Sequence, residues 1–279
     1  MHAPEKQIKV FLSPRRPTRA VHPHFNGDLP GKSPPFASER SHFILLISSV
    51  RYLLAWALFR FPSAWWYKAS FTGALVSYAI VCQKSLGPVQ PNLAWLRRAL
   101  IDENIQYFLL AFFWWSSKPI AVALLPYAIF SLFHALTFSR TTLLPQLLPP
   151  TPPATANGQP TPHPLAKKLQ VWVKSNYNPA MKAVAFVEVV IMFRVLLGAL
   201  TFRNSFLTPL FYAHFLRQRY FQSDFTKAAI GIINKRVEDY VRKPGAPPAL
   251  ATGWDNFKMV LTRWAGSTLA PAPAAAQPQ

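Results

Sequence analysis

Residues 104–139, NIQYFLLAFFWWSSKPIAVALLPYAIFSLFHALTFS, form a run of thirty-six residues in which Lys118 is the single formal charge. A hydrocarbon core about 30 Å thick is crossed by roughly 20 apolar residues, so the run is long for one span and short for two. Its middle, Ser116-Ser117-Lys118-Pro119, decides the reading. Pro119 has no backbone donor and disfavours helical geometry at Lys118, which ends or kinks a helix there. A tight hairpin is expected. Its first arm, Asn104 to Trp115, would rise only about 18 Å, enough for one leaflet or a thinned bilayer. The second arm, Ile120 to Phe138, nearly crosses.

The whole chain has the same character. It is 51% hydrophobic, 14% aromatic and only 14% charged, which is a membrane-protein composition. The net charge of +20 fits either nucleic acid or an anionic membrane surface. Basic residues occur in nearly every polar segment instead of one patch, which fits the bias toward cytoplasmic Lys and Arg and speaks against nucleic-acid binding. Cys82 is the single cysteine, so an intramolecular disulfide and a cysteine-based zinc cluster are both excluded. A buried structural thiol is expected there.

Toward the N-terminus, Asp102-Glu103 opens the central run, where acids suit a helix N-terminus and a membrane boundary. Residues 83–103 are a polar connector, with Pro91-Asn92 starting a helix over 93–100. Residues 43–59 and 63–82 are apolar and joined by about three residues, forming a hairpin; Arg51 makes the first arm shallow or paired. Trp65, Trp66 and Tyr67 resemble an interfacial belt. Residues 1–42 carry seven Lys or Arg against three acids, with scattered prolines. They read as a disordered, uncleaved basic tail.

Toward the C-terminus, residues 140–183 contain no acid and are proline-rich between 145 and 164, which reads as a flexible linker. Residues 184–202 and 205–216 form a third apolar pair. Glu188 and Arg194, six apart, lean to different faces, so each needs another partner; for Glu188 a helix-to-helix hydrogen bond is expected. Residues 224–242 are strongly amphipathic, and in 254–264 Trp254, Phe257, Leu261 and Trp264 share one arc with Val260. Residues 217–264 are therefore read as interfacial helices, with packing on the hairpins or on a partner as the other reading. Residues 265–279 read as a disordered tail. If each apolar pair is a hairpin, the N-tail, residues 83–103, residues 140–183 and the C-terminal region, all net basic or neutral, fall on one side, with roughly four to six spans in all.

The chain contains no GxSxG, HExxH, Walker or glycine-rich phosphate motif, and ten glycines leave little room for one. No catalytic, cofactor or metal residue is assigned. The alternative is a small lipid-handling enzyme or transporter using His134 and Glu188.

Two blocks carry a resemblance. Ala99-Leu100-Ile101-Asp102-Glu103, Tyr107, Pro119, Pro126, Phe130-Ser131-Leu132 and His134-Ala135 form the first. Glu188, Pro209-Leu210-Phe211-Tyr212, Phe215-Leu216 and Arg219-Tyr220 form the second. In order and spacing they resemble the transmembrane protein 33 family, also called the Krüppel-homologue family, whose fungal members are pore-membrane nucleoporins. The likeness covers roughly residues 43–243. It implies a multi-pass protein of the endoplasmic reticulum and nuclear envelope, connected with tubule shape, reticulon-type proteins and nuclear pores. It implies no catalytic residues. The basic N-tail, the proline-rich linker and the C-terminal extension depart from animal-type members and look fungal.

The expectation is an all-α polytopic membrane protein that shapes or scaffolds curved membrane, with both termini cytosolic. The bilayer is the main partner, and an oligomer is compatible with the sequence. Trp254, Phe257, Leu261 and Trp264 would enter the membrane, while Lys235, Arg236, Lys258 and Arg263 contact anionic headgroups.

Overall fold

The computed structural model describes residues 35–148 and 163–266. Of the expected tails, 1–42 and 265–279, residues 1–34 and 267–279 lie outside the described residues, as does the linker core at 149–162; residues 35–42 instead begin the first helix, where Ser41 and His42 are buried, and 265–266 end the last. Among the described residues every regular element is helical. The helices are α1 Pro35–Ala57, α2 Ala64–Leu86, α3 Leu93–Ile101, α4 Glu103–Ser116 and α5 Leu124–Phe138. They are followed by α6 Leu144–Leu147, α7 Pro164–Leu200, α8 Leu207–Gln222, α9 Asp224–Val241 and α10 Pro248–Gly266. The chain is an all-α membrane protein.

Small residues close the α1–α2 hairpin. Ser41 Oγ lies 2.6 Å from Ser77 Oγ, and Ser70 Oγ donates to Ser48 Oγ at 3.0 Å. Between them Gly73 packs so tightly that a Cβ would stand 2.9 Å from the Ser41 carbonyl. With apolar lipid tails outside, such close backbone approach and interhelical hydrogen bonds are what hold helices together. Arg51, exposed on α1, places its guanidinium 6.0 Å over the Trp66 ring, a cation–π contact that keeps its charge toward the surface.

The central run breaks at Ser117–Ile120, as Pro119 requires, and restarts through a 3₁₀ turn at Ala121–Ala123. Its two arms do not form a close backbone seam. α4 packs chiefly on α2, and α5 on α1 and α7. The arms meet through side chains instead: Tyr127 OH donates to the Tyr107 carbonyl at 3.0 Å, and Phe130 lies 5.3 Å from the Tyr107 ring. Bulky aromatics along both arms hold the axes apart. The core they form includes Tyr67, Phe71, Tyr107, Trp114, Tyr127 and Tyr212.

Residues 140–183 differ from the expected linker at both ends. α5 continues through a π-helical turn, Ser139–Leu143, into α6. The widened turn lies just ahead of Pro145, whose missing N–H interrupts the helical ladder. After the undescribed stretch, α7 begins with Pro164 at its first position and runs for 37 residues. Pro179 does not break it, because Ser175, the residue whose carbonyl loses its donor, lies on the exposed side. The apolar run 184–202 is thus the C-terminal half of one long helix. By length and composition Ala121–Leu147 and Pro164–Leu200 can each cross a bilayer.

The α1–α2 and α7–α8 turns end their helices in the same way. Phe59 and Phe202 both sit at φ 55°, the left-handed position usually given to glycine. The next amide closes onto the carbonyl five residues back, Arg60 N to Ala55 O at 2.9 Å and Arg203 N to Gly198 O at 2.7 Å. A phenylalanine there costs about 1–2 kcal/mol relative to glycine. Both rings are almost fully exposed, at 95% and 81%. These two turns and the Ser117–Ile120 break lie at one end of the bundle, since Lys68 stands 5.7 Å over the Trp115 ring and residues 202–206 share a cavity with 117–120.

Candidate functional site

At the opposite end, four helices converge on one carboxylate. Glu188, in mid-α7, is completely buried. Its Oε1 accepts from Tyr107 OH of α4 at 2.5 Å and from Arg219 Nε of α8 at 3.3 Å; its Oε2 accepts from Thr226 Oγ1 of α9 at 3.3 Å. Arg219 also pairs with Glu103, whose side chain is half exposed, and its guanidinium lies 5.3 Å from the Tyr107 ring. Tyr212 OH donates to the Glu188 carbonyl at 3.0 Å. The Arg219 fork therefore meets two carboxylates and an aromatic face, the arrangement a buried guanidinium needs.

Local sequence explains how the parts arrive. Asp102 caps α4 by accepting from the amides of Asn104 at 2.9 Å and Ile105 at 3.1 Å. That fixes Glu103 in the first turn and Tyr107 one turn further on, both facing α8. Ser223 caps α9 at the amide of Thr226, so the α8–α9 corner brings Arg219 and Thr226 to the same side of Glu188. The Gln222 amide donates to the Ile101 carbonyl at 2.8 Å and locks this corner onto the α3–α4 junction.

Five of the family-motif residues named from the sequence, Asp102, Glu103, Tyr107, Glu188 and Arg219, thus belong to one cluster or its support. The others lie elsewhere. Pro119 shapes the α4–α5 break and Pro126 is buried in the first turn of α5. His134 stacks on His42 with ring centroids 4.4 Å apart, and His42 Nδ1 is 3.1 Å from Ser131 Oγ. Tyr220 is 39% exposed, edge-on to Phe221. Thr226 was not evident in the sequence, because nothing in its amphipathic context separates it from an ordinary helical threonine.

The C-terminal pair carries a second network. Glu238 of α9 accepts from Arg242 at 2.8 Å, from the Trp254 indole at 2.7 Å and from Lys258 at 2.9 Å, while Asp255 pairs with Arg242 and Lys258. These hydrogen bonds, from Arg242 first and then Lys258, draw the Glu238 carboxyl down to about 2. The far end of α10 is tied to α8. Arg217 donates to the Ala265 carbonyl at 2.9 Å and lies 5.2 Å from the Trp264 ring.

Of the residues expected to meet the membrane, Phe257, Leu261 and Trp264 keep substantial exposure, along with Val260. Trp254 is half buried by its bond to Glu238 and its stack on Phe257. Lys258 is held between Glu238 and Asp255, and Lys235 pairs with Asp239 at 3.0 Å, while Arg236 and Arg263 are exposed. The pairing of these groups across two helices was not legible in the sequence. Among the described residues no group of His, Cys, Asp and Glu could hold a metal ion.

The fold is thus a helical membrane bundle in which five of the motif residues form or support a buried Glu–Arg–Tyr cluster. The family described as Transmembrane protein 33/Nucleoporin POM33 matches residues 36–267, and the chain belongs to it. It is 34% identical over 237 residues to Nucleoporin POM33 of Chaetomium thermophilum, covering 80% of this chain and 83% of the relative. It is 32% identical over 246 residues to Tetra-spanning protein 1 of Schizosaccharomyces pombe, covering 86% and 88%. With Transmembrane protein 33 of Homo sapiens the identity is 24% over 187 residues, covering 66% and 70%. No solved structure matches the chain.

Proposed function

We propose that this chain is a non-enzymatic, multi-pass protein of the endoplasmic reticulum membrane and nuclear envelope that scaffolds curved membrane and takes part in nuclear pore organisation. Its termini, residues 83–103 and the C-terminal pair lie on the cytosolic side, where the basic segments favour them. Membrane and pore association is supported by the family and by the name of the Chaetomium relative. The span count of roughly four to six accords with the name of the Schizosaccharomyces relative.

The single observation that carries the shaping role is α10. Its Phe257, Val260, Leu261 and Trp264 are exposed, while its C-terminal turn is fastened to α8 through Arg217. An apolar helix face held rigidly beside a bundle enters one leaflet more than the other, and that asymmetry favours curvature. The short arm α4, 14 residues long, adds to it by reaching only part of the bilayer depth.

The test uses the full chain reconstituted in liposomes containing anionic lipid. The wild type draws vesicles into narrower or tubular forms in electron micrographs, and the double variant Leu261→Glu, Trp264→Glu inserts normally but leaves them spherical. Equal remodelling by both proteins would refute the wedge. The rival reading, a site built on His134 and Glu188, has no support in the geometry, because the two belong to separate clusters, each with its own partners.

A further inference from the structure

At the turn end of the bundle a cavity of about 480 Å³ opens between the α4–α5 break and the α7–α8 turn. Lys118, Arg194 and Arg203 line it together with Trp114, Ser117, Phe202 and Phe206, and no acidic residue does. None of the three cations forms an ion pair among the described residues, in contrast to Arg219 at the other end. Trp114 packs beneath them as the wholly buried apolar floor. Three unpaired cations around one cavity with no acid in its lining point to a ligand that carries negative charge.

The surroundings specify what kind of anion. Arg194 lies six residues before the end of α7, about 9 Å along the axis from the turn. That depth suits a group at the junction of headgroups and acyl chains. Phe202 and Phe206 on the rim are exposed and apolar, suited to run beside an acyl chain and not to meet water. Phe202 reaches this position by occupying a left-handed backbone site that glycine would fill without strain. Asn204 braces the wall, donating through Nδ2 to the Val195 carbonyl at 3.1 Å, with Oδ1 standing where a Gly198 Cβ would be. The N-terminal end of α8, with Phe206 at its cap and Thr208 in its first turn, lines the cavity as well and adds partial positive charge.

We infer that this cavity binds the phosphate of an anionic phospholipid in the leaflet that meets the turn end, with Arg194, Arg203 and Lys118 on the phosphate oxygens. A cavity of this size accepts a headgroup and the start of its chains, within the range of ordinary ligand sites. The site is separate from the C-terminal pair, which lies at the other end of the bundle.

The experiment takes the full chain in detergent and titrates it separately with phosphatidic acid, phosphatidylcholine and inorganic phosphate. Native mass spectrometry reads the retained ligand, and thermal unfolding reads the fold. Phosphatidic acid is expected to stay bound in preference to the other two and to raise the unfolding midpoint. The Arg194→Gln, Arg203→Gln variant should bind it about ten- to a hundredfold more weakly, as loss of charged hydrogen bonds implies. Lys118→Gln, in an exposed turn, tests the same point without touching a helix. Arg97→Gln on α3 should change nothing. Undiminished retention by the folded Lys118 and Arg203 variants would overturn the inference. Equal retention of phosphatidylcholine, or saturation by inorganic phosphate alone at the lipid's own concentration, would also overturn it.

Discussion

Glu188 accepts hydrogen bonds from side chains of three other helices, so its loss and the loss of its partners have different costs. Removing one member of a buried ion pair strands the other, typically at about 3–5 kcal/mol, while replacing both by apolar groups of similar volume is often close to neutral. Arg219→Met is therefore expected to destabilise the chain by about that amount, and Glu188→Leu with Arg219→Leu to recover much of it. Denaturant unfolding in detergent checks both; a single-variant loss under about 1 kcal/mol would mean that the cluster is already solvated. The need for this partner was legible in the sequence, since an intramembrane glutamate six residues from the nearest arginine cannot pair with it on the same helix face. The partner's identity was not. Tyr107 and Arg219 are 81 and 31 residues away, and no local period links them.

Among the elements, the α1–α2 seam makes the most local claim. Gly73→Val would force groups into a space where even a Cβ stands 2.9 Å from a backbone oxygen. It should separate the helices at a cost of about 1–3 kcal/mol. In a Cys82→Ser background, cysteines placed at Ser41 and Ser77 should cross-link readily and lose that ability when Gly73→Val is added; unchanged cross-linking would count against a glycine-dependent seam. The α9–α10 pair responds to pH. Glu238 titrates lower in the folded pair than its ordinary value of 4.5, so its contribution is complete above that value and is lost as pH falls toward about 2. Hydrogen exchange in α10 should therefore stay slow through neutral and mildly acidic pH and rise between about 4.5 and 2. High salt should have a similar but smaller effect, because the groups are exposed and screened. The apolar runs and their proline breaks made the helices of the hairpins readable. The helical start of α7 was not, because the prolines before Pro164 dominate the composition of a window that also contains the lysine-rich turns of residues 164–183.

For the whole molecule, the arrangement of ends is the main claim open to test. Single cysteines at Gln90, Ser117 and Asn204, in a Cys82→Ser background in sealed microsomes, report it directly. Gln90 should label from the cytosolic side, whereas Ser117 and Asn204 should be protected until the membrane is opened; cytosolic labelling of Asn204 would remove the paired-crossing topology. The serine–glycine seam and the Glu188 cluster also mature at different moments of synthesis. Contacts of the serine–glycine seam fall within residues 41–77, so the first hairpin can close while most of the chain is still unmade. Glu188 has to wait until Arg219 and Thr226 have left the ribosome. During that interval a carboxyl group sits in an apolar helix with Tyr107 as its one available side-chain partner, and any truncation or stall before residue 219 leaves it so. A finished chain therefore carries its glutamate fully partnered by Tyr107, Arg219 and Thr226, and one that ends before residue 219 carries a buried carboxyl group without its arginine.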